Sequence, residues 1–136
     1  MRIETTETPR EEDEAFVVAQ TRAYNREFTN RDVRPLCVFA RDETNAIIGG
    51  LTGMTYWLYL DVGYLWVDRQ RRHQGIASRL LAAAQEEAGR RGCRHVLLDT
   101  YSFQAPEFYR KLGFREFGQL SGFSGKHTRH YMCKDL

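Results

Sequence analysis

Val67-Asp68-Arg69-Gln70-Arg71-Arg72-His73-Gln74-Gly75-Ile76-Ala77 is the stretch on which the reading of this sequence turns. Before it, Tyr64-Leu65-Trp66-Val67 is an apolar and aromatic strand that stops abruptly at charge. After it, Ile76, Leu80, Leu81, Ala84 and Ala88 recur on one helical face, with Arg79, Glu86, Glu87 and Arg90 on the other. The first N–H groups of a helix have no partner within it, and the helix dipole places partial positive charge there. A strand running through a basic turn into such a start is an anion site suited to a diphosphate. Gly75 lets the backbone approach the anion, and Ala77 is too small to block it. No GxxxxGK[ST] or GxGxxG accompanies the turn, so it is neither of those phosphate loops. A basic turn of this kind also reads as a solvated cap.

Outward from the turn, the helix stops at Arg90-Arg91-Gly92, and Val96-Leu97-Leu98 is a short strand suited to a buried parallel pairing. Pro106 and Glu107 start a two-turn helix that Lys111 and Gly113 end. Phe114 to Phe117 and His130 to Cys133 read as the last strands, joined by a Gly/Ser-rich loop from Gly118 to Gly125. Toward the N-terminus, Leu36 to Ala40 and Ala46 to Leu51 form a hairpin over the turn residues Asp42 to Asn45. Met54 to Val67 is too long for one strand and is expected to bend near Tyr59 to Asp61. An acidic run, Glu11 to Glu14, opens a helix carrying Phe16, Val17, Gln20, Tyr24 and Phe28. Arg2 to Thr6 reads as a short edge strand. The order is that of a mixed α/β domain, and residues 1–136 read as one domain.

Composition sets the limits. The chain has 136 residues, 42% hydrophobic and 28% charged, which suits a folded domain with its own core. A net charge of +2 dictates no nucleic-acid or membrane partner. Cys37, Cys93 and Cys133 form no CxxC pair and read as reduced thiols. The opening residues lack the apolar core of a signal peptide, and no stretch is long enough to cross a membrane, so a cytoplasmic location is expected.

Arg72-x-x-Gly75-x-Ala77, placed after Leu65-Trp66-Val67, resembles the (Arg/Gln)-x-x-Gly-x-(Gly/Ala) signature of the GNAT N-acetyltransferase superfamily. Ser102-x-x-Ala105-x-x-Phe108-Tyr109-x-x-x-Gly113-Phe114 resembles its second motif, Asn-x-x-Ala-x-x-Leu-Tyr-x-x-x-Gly-Phe, and stands in the right order. The resemblance implies a mostly antiparallel sheet flanked by helices, with a central parallel strand pair splayed to hold acetyl-CoA. It implies that the backbone of Leu65, Trp66 and Val67 holds the pantetheine arm and the acetyl carbonyl. Amides from Arg72 through His73, Gln74, Gly75, Ile76 and Ala77 to Ser78 would hold the pyrophosphate. Ser102 stands where the family often has an asparagine that bonds the cofactor arm; its other reading is a turn or capping residue. Tyr109 matches the tyrosine that in many members protonates the leaving thiolate, although its spacing with Ala105, Phe108 and Leu112 alone reads as a buried helix face. The resemblance also implies a homodimer through the late strands and their Gly-rich loop.

Transfer to an amine needs the neutral amine, which a lysine-like group rarely is at neutral pH. Asp61 is the best-placed carboxylate for a base, on a face shared with Gly63, Leu65 and Val67 if the strand is regular; its other reading is a solvated strand-bend residue. Glu107 and Asp68 are weaker candidates. Tyr56, Trp57, Tyr59, Tyr64 and Trp66 are expected mostly in a core. His127 and His130 point to opposite faces of a strand, so no metal is expected. The expected reaction is direct attack of a primary amine on acetyl-CoA. The alternatives are a non-catalytic acyl-CoA sensor and a macromolecular acceptor, either a protein or a charged tRNA.

Overall fold

The computed structural model describes all residues, 1–136, and divides into two compact units, Met1–Asp32 and Val33–Leu136. The first unit holds helix α1, Glu11–Asn25, with Glu11, Glu12, Asp13 and Glu14 in its first turn. No residue of α1 is buried. The helix stops before Phe28, and the expected strand over Arg2 to Thr6 is absent. Three apolar or β-branched residues in five were too few for a strand without a neighbour to pair with.

The second unit is a six-stranded sheet in the order β1-β2-β3-β4-β6-β5. Its elements are β1 Arg34–Arg41, β2 Ile47–Tyr56, β3 Tyr59–Val67, α2 Ile76–Arg90, β4 His95–Tyr101, α3 Pro106–Lys111, β5 Arg115–Phe123 and β6 His127–Asp135. All neighbours are antiparallel except β3 and β4, which run parallel. The β1–β2 turn forms as its residues predict. The Asp42 carboxylate accepts from the amides of Thr44 and Ala46 and from the Thr44 hydroxyl, while Asn45 takes a left-handed φ of 68°.

Leu80, Leu81, Ala84 and Ala88 of α2 are buried in one cluster with Leu36, Leu51, Leu60 and Val62 of the sheet, as the helical spacing required. Arg91 locks the far end of α2, donating to the Pro35 carbonyl and the Thr55 hydroxyl and pairing with Glu87. On β4 and β6, Val96, Leu98 and Met132 extend the same core.

Three expectations change. The bend in the long aromatic run lies at Trp57-Leu58, before Tyr59, as a two-residue hairpin turn with φ of 47° and 71°. No glycine or asparagine marked it, because both turn positions are held by bulky residues in a conformation that favours glycine. The Gly118–Gly125 segment is mostly strand, and the turn falls at Ser124-Gly125. Its other glycines are taken up by irregular pairing between Glu116 and Gly118 and between Leu120 and Phe123. Finally, β3 is not regular. Thr52 pairs with Tyr64 and Gly53 with Val62, so Gly63 is an extra residue, a β-bulge.

Candidate active site

The bulge changes which side chains share a face. Before it, Leu60 and Val62 point to the helix-covered face; after it, Leu65 and Val67 do. Asp61, Tyr64 and Trp66 therefore share the opposite face, and the expected alignment of Asp61 with Leu65 and Val67 is lost. Gly53 makes the bulge feasible, since a Cβ there would lie 2.4 Å from the Asp61 carbonyl oxygen. The aromatic residues expected in a core are not in it. Tyr64 is 80% exposed, Trp66 51%, Trp57 44% and Tyr59 37%, and Tyr56 is only half-buried. Strand propensity reports a pleated surface, not which side of it is covered.

The parallel ladder between β3 and β4 is short. It joins Tyr59 to His95, Leu60 to Val96 and Asp61 to Leu97, and then ends. From Val62 to Val67, β3 keeps its β2 partner and has none on the β4 side, while β4 continues to Tyr101 with β6. The two strands thus form a fork whose inner edge on β3 includes Leu65, Trp66 and Val67. Unpaired strand edges present backbone N–H and C=O groups to whatever lies beside them.

At the open end of that edge the chain turns into α2. The Asp68 carboxylate accepts from the Gln70 amide and caps the short 3₁₀ turn Arg69–Arg71. Arg72 is extended, and its Nε donates back to the Val67 carbonyl at 3.2 Å, which ties the turn to the strand end. His73 and Gly75 both take left-handed φ, 63° and 76°. Gly75 is the N-cap of α2 and has no side chain with which to cap it; no carboxylate stands in the first turn. A Cβ on Gly75 would meet nothing within 4 Å. The amides from Arg72 through Gln74, Ile76 and Ala77 to Ser78 therefore belong to a helix start without a built-in anion.

On the other arm, β4 leads to α3 through a tight turn. The Gln104 side-chain carbonyl accepts from the Tyr101 amide, and the Thr100 hydroxyl accepts from the Ala105 amide. The Ser102 hydroxyl oxygen accepts from the Thr128 amide and the Ser102 amide donates to the Thr128 carbonyl, so Ser102 pins the end of β4 to the start of β6. This is the turn role that the sequence left open for it. Tyr109 is buried, 8% exposed, with its ring edge-on to Phe108 and Phe114. Burial, and secondarily the charge of Asp99, raise its hydroxyl from 10 to about 12. Asp99 is held in a two-pronged pair with Arg129 at 2.9 Å.

Asp61 accepts a hydrogen bond from the Tyr56 hydroxyl at 2.8 Å. Glu107 pairs with Arg110 one helical turn away, and Asp68 is committed to its cap, so neither stands out as a base. His127 packs against Phe103, and His130 pairs with Glu116. Cys93 is buried, Cys133 half-buried and Cys37 exposed. The fork and the α2 start follow from motifs visible in sequence; the Tyr56–Asp61 bond does not, because no spacing rule reports a contact across a hairpin whose turn is unmarked. No helix is long and apolar enough to cross a membrane.

A family model described as an acetyltransferase (GNAT) domain matches residues 34–116. A blasticidin-S acetyltransferase from Streptomyces morookaense is 37% identical over 109 residues, covering 77% of this chain and 80% of that protein. The crystal structure of an acetyltransferase from Bacillus cereus superposes with a TM-score of 0.88 at 33% identity, covering 98% of each chain. A protein described as a streptothricin acetyltransferase from Bacillus anthracis, crystallised with acetyl coenzyme A, shares the fold at a TM-score of 0.68 and 23% identity, over 82% of this chain and 67% of that one.

Proposed function

Since the chain belongs to the GNAT acetyltransferase domain family, we propose that it moves an acetyl group from acetyl-CoA to a primary amine by direct attack within a ternary complex. The observation that carries the proposal is the β3–β4 fork opening onto an α2 start with no carboxylate of its own. In this reading the unpaired edge at Leu65, Trp66 and Val67 binds the pantetheine arm and the acetyl carbonyl. The amides of Arg72, His73, Gln74, Gly75, Ile76, Ala77 and Ser78 receive the pyrophosphate, where helix dipole and unpartnered N–H groups favour an anion. Ser102 contributes by fixing the turn beside the arm.

The acceptor amine, deprotonated by Asp61 directly or through water, attacks the thioester carbon. The N–C bond forms, the tetrahedral oxyanion is met by backbone N–H groups near Val67, the surplus proton of the attacking nitrogen leaves to solvent, and the oxyanion collapses with cleavage of the C–S bond. Tyr109 gives its proton to the departing thiolate. Its raised hydroxyl supports the role in one respect: the phenol stays protonated throughout the range in which an amine reacts. Relatives named for blasticidin-S and streptothricin direct the first acceptor panel to those two compounds. We read the whole chain as one N-acetyltransferase domain, cytoplasmic and homodimeric through its late strands, of which β5 is a sheet edge.

The test is CoA release against an amine panel, with Tyr109→Phe as control. The variant is expected to lose about 10²- to 10⁴-fold in kcat while CoA affinity stays constant. An unchanged rate would remove Tyr109 from the acid role. Trapping an acetylated cysteine would overturn direct transfer, and no turnover with any amine would favour an acyl-CoA sensor.

A further inference from the structure

Asp61 is the last residue of β3 paired with β4, so its carboxylate stands where the fork begins. Its antiparallel partner is Met54, and Tyr56 is the diagonal neighbour on the same face of β2. The Tyr56 hydroxyl crosses that diagonal to donate to Asp61 Oδ2 at 2.8 Å. Trp57 sets its ring edge-on to the Tyr56 ring, with centroids 5.8 Å apart and planes at 75°. That ring is carried by the Trp57-Leu58 turn, where both residues hold the left-handed backbone. Two bulky residues in that conformation are costly, and such strain persists where the surroundings over-determine it. The turn, the two rings and the carboxylate form one continuous chain ending at the fork.

We infer that Tyr56 is a positioning residue for the acceptor amine: it commits one Asp61 oxygen to the phenol and turns the other toward the fork to receive the amine's proton. The inference rests on the base role given to Asp61 above. A carboxylate on an exposed strand face otherwise samples several rotamers, and a bond to a rigid ring removes most of them. Burial, then the bond to Asp61, raises the Tyr56 hydroxyl to about 12, so the donor remains loaded wherever the enzyme is assayed. The charged groups of β4 on this face are engaged with β6. On β4, His95 pairs with Asp135 of β6, and Asp99 with Arg129 of β6. Cys133 lies opposite Leu97, Cys37 lies across from Thr52, and Tyr59 and Tyr64 flank Asp61 on its own strand.

The test is a cycle of Tyr56→Phe, Asp61→Asn and the double variant, with steady-state constants for amine and acetyl-CoA measured separately. Asp61→Asn is expected to lose at least about 100-fold in kcat/KM for the amine. Tyr56→Phe is expected to lose about tenfold for the amine, leave the KM for acetyl-CoA unchanged, and cost nothing more in the Asp61→Asn background. If Tyr56→Phe folds poorly, 3-fluorotyrosine at position 56 keeps the shape and changes only the strength of the donor, and kcat/KM for the amine should then shift by more than about twofold while the KM for acetyl-CoA does not. A kcat/KM for the amine indifferent to both changes, with Asp61→Asn inactive, overturns the role of Tyr56 and leaves that of Asp61 standing. Wild-type activity in Asp61→Asn overturns both.

Discussion

The two long helices of this chain begin in opposite ways. Both span 15 residues, and neither has a side-chain cap at its start. α1 opens with four carboxylates, Glu11 to Glu14, preceded by Arg10, which pairs with Asp13 at 3.1 Å. α2 opens with none, behind a glycine at φ 76° and the basic run Arg69 to Arg72. A helix start carries the same partial positive charge in either case. In α1 the sequence supplies the compensating anions; in α2 it withholds them, and the strand edge beside it is also left unpaired. The helix start proposed to bind the anion is thus marked less by what it contains than by the carboxylates that it lacks.

That contrast can be broken most severely by Gly75→Asp, which gives α2 the carboxylate that α1 already has. CoA affinity, by titration calorimetry, should fall about 100-fold, some 2.7 kcal/mol, since the new charge occupies the place proposed for the pyrophosphate. Retained affinity would move the diphosphate away from this start. Gly75→Ala is a milder change. With nothing within 4 Å of the new Cβ, its cost comes from the left-handed backbone alone. Thermal melts of the empty protein should show a loss of about 1–2 kcal/mol, and CoA affinity should drop by about tenfold or less. An unaltered melting temperature would mean that the turn relaxes without difficulty. The smallest effect belongs to α1: replacing Glu11, Glu12, Asp13 and Glu14 by their amides should lower its helicity by circular dichroism, at about 0.3–1 kcal/mol per charge. CoA affinity should stay within about twofold, and a larger change would tie α1 to the donor site.

The same contrast explains what could be read in advance. The α2 start was legible because a glycine, a basic turn and an apolar 3.6-residue period coincide within a few residues. The parallel partner strand was legible from the apolar run Val96-Leu97-Leu98, although the ladder spans His95 to Leu97 and only one face of β4, that of Val96 and Leu98, is buried. Asp61 stands at the fork, but the face expected for a regular strand is not the one it takes. The Gly63 bulge inverts the alternation beyond it, and a bulge is a property of pairing with β2, not of β3 alone. Tyr64 and Trp66 fall outside the core expected for them for a related reason: aromatic residues in a strand do not say whether a helix lies over them.

The sequence by itself determined the elements whose causes are local: the α2 stripe, the Asp42–Asn45 turn, the Pro106 helix start, and the two motifs that mark the family. Only the tertiary structure decided that the β3–β4 ladder stops at Asp61 and that Gly63 shifts the register. It alone joined Tyr56 to Asp61 across an unmarked turn. The physical reason is range. Caps, turns and helical periods are settled by neighbours within about one helical turn of sequence, whereas strand divergence and register depend on partners far along the chain.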